Sequence, residues 1–392
     1  MGGILYQRIM IGLLTLGAVV IATVAALAAG STSAPTATAQ QAVADANGQA
    51  TRTYYIAADT VDWNYAPQGR NLITGKPFTD AENVFVKPGT QRIGSTYRKA
   101  LFRAYTDASF RTLVPRGDRW SHLGLLGPVI HAEVGDTIKV VFRNNTDKPR
   151  SVHPHGVFYA KSSEGAPYND GTSGADKADD AVPPGGTVTY TWKVPERAGP
   201  GPGDGSSVMW MYHSHVDEPG DTNAGLMGPI IITRAGMGRA DGSPIDVDRE
   251  FVAMFSVMDE NTSTELQDNI DRLPDPSVDP EDPEFEESNL MHSINGYVFG
   301  NSPTGAPLFH AARGERVRWY LMGMGTEVDI HTPHWHGMTV TTMGMRTDVA
   351  TLMPASMLVA DSTPDDPGIW LFHCHVNDHI LAGMQSRVQI DP

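Results

Sequence analysis

A single cysteine, Cys374, stands in a chain of 392 residues, so no intrachain disulfide can form and the fold must rest on its core. Basic residues are also in short supply: 29 Lys and Arg against 45 Asp and Glu leave a net charge of -16. Nucleic acid and anionic lipid surfaces would be repelled and cationic substrates attracted, so no nucleic acid partner is expected. Amphipathic helical periodicity is missing too, which excludes a helical bundle.

The long apolar run at residues 9–29 follows Arg8 and precedes Ala37, Thr38 and Ala39, an A-x-A cleavage pattern. Residues 1–39 therefore read as a signal peptide or an N-terminal anchor, and the protein as exported, extracellular or in the cell envelope. The run approaches the ~20 apolar residues that cross a bilayer, so an uncleaved anchor stays open beside cleavage. An exported lone thiol needs protection from oxidation, by burial or by a metal, and His373 and His375 on either side of Cys374 favour the metal.

What the chain does have is turn and strand material. With 40 Gly and 28 Pro, short runs rich in Val, Ile, Tyr, Thr and Trp at 137–142, 187–194, 208–215 and 229–233 alternate with turn residues. That cadence predicts an all-β sandwich or barrel. Residues 40–52, rich in Ala, Gln and Thr, read as a flexible spacer. A first domain follows over 53–235, then a linker over 236–248 and a second domain over 249–392.

The second half repeats the first. HPHG at 153–156 is echoed by HWHG at 334–337, and WMYHSH at 210–215 by WLFHCH at 370–375, which suggests two copies of one metal-binding β-domain. Ten of the 14 histidines fall in the clusters His153/His155, His213/His215, His331/His334/His336 and His373/His375/His379. One H-x-H alone is more often a plain surface or core pair, but four in register between two repeats point to metal.

Strand geometry sorts them, because side chains alternate faces with period two. His373 and His375 share one face and Cys374 turns to the other; His334 and His336 share a face and His331 has the opposite parity. Cys374 and His331, joined by His379 and Met384 from the following turn, make a His2Cys-thioether set, the ligands of a blue copper that cycles between Cu(I) and Cu(II). Eight imidazoles remain, at 153, 155, 213, 215, 334, 336, 373 and 375, more than one ion needs, which implies a polynuclear site. The backbone of Cys374 joins the two groups directly. A tetrahedral structural zinc site takes four ligands, and nothing here is spaced as one.

Four motifs in order, H-x-H-G, H-x-H, H-x-x-H-x-H-G and H-C-H-x-x-x-H-x-x-x-x-M, resemble those of the multicopper oxidases. The resemblance implies tandem cupredoxin-like Greek-key domains and about four coppers per chain, one type 1, one type 2 and two type 3. It assigns the type 1 ion to His331, Cys374, His379 and Met384, and the type 2 ion to His153 and His334. The type 3 pair takes His155, His213, His215, His336, His373 and His375. Such an enzyme couples one-electron oxidation of a reductant to four-electron reduction of dioxygen to water. Nearly the whole exported chain is similar to ceruloplasmin, through segments such as LGLLGPVIHAEVGDTIKVVFRNNT and GIWLFHCHVNDHILAGM. Two departures stand out: ceruloplasmin has six such domains, and Ser214 sits where a first-domain blue copper would need Cys. A two-domain chain would rebuild the six-domain ring as a homotrimer, with clusters between subunits.

For the reductant, the likeness implies Fe2+ and an iron site at Glu287, His292 and Asp378. The alternative is laccase-like oxidation of small phenols or aromatic amines, and the acidic run at 281–287 also reads as solvated surface. Asp170, in YNDG, resembles the carboxylate that handles protons near the cluster, and equally a plain turn residue. Outside oxidase chemistry, a non-catalytic copper or electron-transfer protein would need only the type 1 ligands, and a structural relative none. A trimeric nitrite reductase would need fewer than eight further histidines.

Overall fold

The computed structural model describes residues 40–44, 49–326 and 329–392. The apolar run at 9–29 and its cleavage pattern lie outside them, and no helix among the described residues is long and apolar enough to cross a membrane.

Among the described residues four sheets form, two from each half of the chain. In the first half a six-stranded sheet runs Gln40–Ala44, Ala50–Asn64, Thr137–Asn144, Thr187–Lys193, Phe158–Tyr159, with Thr96–Tyr105 pairing with Ala50–Asn64. A four-stranded sheet runs Ile130–Glu133, Met227–Thr233, Ser207–His213, His153–Pro154. The second half repeats this with Leu290–Ile294, Arg249–Asp259, Val317–Gly323, Met357–Ser362, Val340–Thr342, Met345–Thr347, and with Phe309–Ala312, Gln385–Asp391, Gly368–Cys374, Pro333–Trp335. Even the mixed directions are duplicated. Ala50–Asn64 lies parallel to Thr137–Asn144 as Arg249–Asp259 does to Val317–Gly323, and Ile130–Glu133 parallel to Met227–Thr233 as Phe309–Ala312 does to Gln385–Asp391. Among the described residues helices are confined to turns of at most seven residues.

Each pair of sheets closes over its own core, one around Ile56, Phe142 and Trp192 and the other around Phe255, Trp319 and Phe372. A third core draws on both halves, bringing Tyr65, Tyr97, Met209 and Met211 against Met254 and Met322. Methionine suits such a seam because its unbranched thioether fills irregular gaps. Buried ion pairs also cross between the halves: Lys99 with Glu260, and Arg150 with Glu265 at 2.5 Å.

The spacer expected over residues 40–52 is corrected here. Gln40–Ala44 pairs antiparallel with the strand that begins at Ala50, from Gln40↔Tyr54 to Ala44↔Ala50, and Arg52 is buried on Asp136 at 2.5 Å. The physical reason is the open edge of the Ala50–Asn64 strand, whose free N–H and C=O groups accept any extended segment whatever its side chains.

Candidate metal centres

The strand pair Pro333–Trp335 and Gly368–Cys374 sets the register of the second-half site, with Pro333 opposite Cys374 and His334 opposite His373. Period-two alternation then sends Cys374 inward and His373 to the other face. His331, Cys374 and His379 are all buried, and their donor atoms lie within 4.8 Å of one another. Cys374 Sγ is 3.6 Å from His379 Nδ1, and the Thr332 N–H donates to it at 3.3 Å. Met384 is buried beside them and tied by backbone, its carbonyl accepting from Cys374 N at 3.1 Å and its N–H donating to His379 O at 2.9 Å.

Burial by itself would push the Cys374 thiol up; contacts with His331 and His379 outweigh it and hold the thiol at about 6, a thiolate at neutral pH. His331 Nδ1 is buried without a hydrogen-bond partner, while Asp329 sits 3.4 Å from its Nε2. A thiolate and two imidazoles with converging donor atoms, one ring nitrogen of His331 left without a partner, fit a soft redox metal such as copper.

Two histidine quartets repeat one geometry. In the first, His155 Nε2 and His213 Nε2 face each other at 3.1 Å; in the second, His336 Nε2 and His373 Nε2 do so at 3.2 Å. The rings of His153, His155, His213 and His215 lie 5.2 to 5.7 Å apart, and those of His334, His336, His373 and His375 4.7 to 5.5 Å. His153 Nδ1 donates to Glu164 O at 2.6 Å and His334 Nδ1 to Asp348 O at 2.9 Å, while His213 and His373 donate Nδ1 to the carbonyls of Ser214 and Cys374. Carbonyls accept only, so these four rings carry their proton on Nδ1 and turn a lone pair on Nε2 toward the quartet. Burial, and then neighbouring imidazoles, push His155 down to about 4, and His373 falls to about 4 chiefly by burial, the state a metal ligand requires. Among the described residues no ring contact joins the two quartets.

The glycine ending each H-x-H-G motif has a steric cause. Gly156 and Gly337 have φ of +76° and +68°, and a Cβ on either would run into the indole of Trp210 or Trp370.

The first half has no counterpart of the buried thiolate site. Arg150, Ser214, Asp221 and Leu226 make the backbone contacts that His331, Cys374, His379 and Met384 make in the second. Arg150 is ion-paired with Asp221, and Ser214 Oγ donates to the same carboxylate at 2.5 Å. Sequence reading found Ser214 alone, although Arg150 lies three residues before His153 as His331 does before His334.

Glu287, His292 and Asp378 line one cavity of about 480 Å³ together with His379. The His292 ring is 5.4 Å from that of His379 and pushed down to about 4 by burial. Asp259 and Asp329 also line this cavity and were missed by sequence reading, though Asp329 stands two residues before His331. Asp170 is held by Lys177 at 2.9 Å and Lys161 at 3.3 Å, which with Thr172 keep it well below the usual carboxylate range. A carboxylate so held stays ionised at neutral pH.

Two family signatures described as multicopper oxidase match residues 123–236 and 276–392. The chain belongs to the multicopper oxidases. It is 47% identical over 350 residues to Ferroxidase HEPHL1 of Homo sapiens, covering 88% of this chain and 30% of that protein. Hephaestin of Homo sapiens is 47% identical over 348 residues, 87% of this chain and 29% of its own, and ceruloplasmin of Homo sapiens 41% over 346 residues, 86% and 30%. The chain thus spans about 30% of the length of the relatives it matches. A solved multicopper oxidase superposes with a TM-score of 0.57 at 16% identity over 90% of this chain and 94% of its own. The copper nitrite reductase of Nitrosomonas europaea gives 0.53 at 17% identity, over 87% and 94%. These likenesses establish the cupredoxin-like fold of the chain.

Proposed function

We propose that this protein is a ferroxidase that oxidises Fe2+ to Fe3+ and passes the electrons to dioxygen. The observation that carries the reading is the cavity in which Glu287, His292 and Asp378 meet the ring of His379. Two carboxylates and one imidazole bind Fe2+ and stabilise Fe3+ more, which eases electron loss. Glu287 and Asp378 are exposed, with no ion pair among the described residues, so both are free to take a cation. The net charge of -16 favours its approach.

His331, Cys374, His379 and Met384 would hold the type 1 ion, His153 and His334 the type 2 ion, and His155, His213, His215, His336, His373 and His375 the type 3 pair, about four coppers per chain. Copper, when bound, supplies one-electron exchange at the cysteine site and reduction of dioxygen to water at the cluster. Cys374 is covalently continuous with His373 and His375, so an electron received beside His379 has a backbone path to the second quartet. Asp170, on the loop whose Glu164 carbonyl is tied to His153, is the carboxylate assigned to proton handling, as a fixed anion that orients donors beside Lys161 and Lys177 and does not itself give up a proton.

Each quartet offers four imidazoles, leaves His336 and His375 exposed in the second, and makes no ring contact with the other among the described residues. The cluster is therefore assigned to the contact between the first half of one copy and the second half of the next, closed as a homotrimer. Export, with residues 9–29 as leader or anchor, completes the proposal.

Oxygen uptake with Fe2+ and with a bulky phenolic dye tests the substrate. Glu287→Ala and Asp378→Ala should cut turnover of Fe2+ at least about tenfold while sparing the dye. Equal losses with both donors would remove the iron site.

A further inference from the structure

His153 and His334 play matching parts in the two quartets, yet the groups behind them differ. Behind His153 lies a single peptide unit, Glu164 to Gly165. Its carbonyl accepts from His153 Nδ1 at 2.6 Å and its N–H donates to Asp179 Oδ2 at 2.8 Å. Asp179 is 1% exposed, and its other oxygen is buried with no hydrogen-bond partner. Behind His334 the acceptor is Asp348 O at 2.9 Å, and the N–H of that peptide, on Val349, donates to the Thr347 hydroxyl at 3.1 Å. Through the peptide, one imidazole is thus backed by a buried carboxyl and the other by a neutral hydroxyl, the Asp348 carboxylate standing 4.0 Å from His334 Nδ1 but more than half exposed to solvent.

The arrangement is braced on every side. Gly165 has a φ of +68°, and a Cβ there would lie 2.6 Å from Val152 O, so only glycine lets this peptide approach the strand before His153. Ser151 Oγ donates to Gly165 O at 2.7 Å. Tyr190 OH donates to Asp179 O at 2.8 Å and accepts from Val152 N at 3.1 Å.

Hydrogen bonds in a row polarise one another: an anion on the N–H side of a peptide makes its carbonyl a stronger acceptor. A stronger acceptor on Nδ1 fixes the ring and raises the basicity of Nε2, as carboxylates behind metal-bound histidines do directly.

We infer that Asp179 is a positioning residue that acts on His153 through the Glu164–Gly165 peptide, making His153 the stronger donor of the two matched imidazoles. The inference rests on reading His153 as a copper ligand. Asp179 touches neither metal nor substrate.

The test compares Asp179→Asn, which keeps the volume and an acceptor for Gly165 N, with Asp179→Ala in the copper-loaded protein. Two readouts are the type 2 copper signal in electron paramagnetic resonance and copper retention against a chelator. Both variants should change the type 2 hyperfine splitting, and retention should fall roughly tenfold for Ala and less for Asn. The blue absorption of the Cys374 site should stay as in wild type, which also shows that each variant has folded. Thr347→Ala, the matched change behind His334, should have the smaller effect. A folded Asp179→Asn protein with wild-type splitting and retention overturns the inference alone. Wild-type protein with four-copper loading but no type 2 signal overturns the ligand reading and the inference with it.

Discussion

Arg150 stands in the first half where His331 stands in the second: each makes an isolated antiparallel bridge, Arg150 with Val182 and His331 with Leu352, three residues ahead of its H-x-H. Around these two positions one half builds a thiolate with two imidazoles and the other a buried ion pair, Arg150 with Asp221 and Glu265. The same backbone therefore carries the candidate copper site in one half and a buried ion pair in the other.

Removing the cation should be costly. Arg150→Met strands two buried carboxylates and is expected to destabilise the protein by about 3–5 kcal/mol. Denaturant unfolding measures this, and a loss under about 1 kcal/mol would mean the network is not a tie between the halves.

Cys374→Ser should abolish the blue absorption, lower the copper content by about one ion per chain and stop oxidation of every donor. The two histidine quartets should still bind metal, because Cys374 turns away from both. Copper analysis beside absorption spectroscopy checks the pair of outcomes.

Acid should loosen the seam between the halves through His122. Its Nε2 accepts the Val252 N–H at 3.0 Å, and burial pushes the ring from 6.5 down to about 3. The folded ring stays neutral while the unfolded one protonates below 6.5, so the unfolded state binds more protons there. Stability should hold above that pH and fall as pH drops from 6.5 toward 3, by about 1.4 kcal/mol per unit from this residue. His122→Gln keeps an acceptor that does not titrate and should flatten the slope in unfolding curves measured between pH 6.5 and 4.5.

Much of the second-half site was legible in the sequence because strand parity is local. The positions of His331, Cys374 and the H-x-H pairs follow from counting by two, and the strand pairing that puts Pro333 opposite Cys374 obeys that count. The strands expected at 187–194 and 208–215 form as Thr187–Lys193 and Ser207–His213. What the sequence hid depends on distant partners. Residues 40–44 carry no hydrophobic pattern and become a strand only because a sheet edge is open. Lys99 meets Glu260 and Arg150 meets Glu265 across more than 100 residues. Asp259 reaches the cavity of Glu287 only through the pairing of Arg249–Asp259 with Leu290–Ile294.

Complementation between inactive variants tests the central claim that the oxygen-reducing cluster is shared between copies. One variant carries His153→Ala and His155→Ala, the other His334→Ala and His336→Ala, and the two are co-expressed and loaded with copper. In a closed ring about a quarter of the sites would combine an intact first half from one chain with an intact second half from the other, and oxygen uptake should return to about that fraction of wild type. Activity no higher than that of either variant alone would contradict a cluster built from two copies.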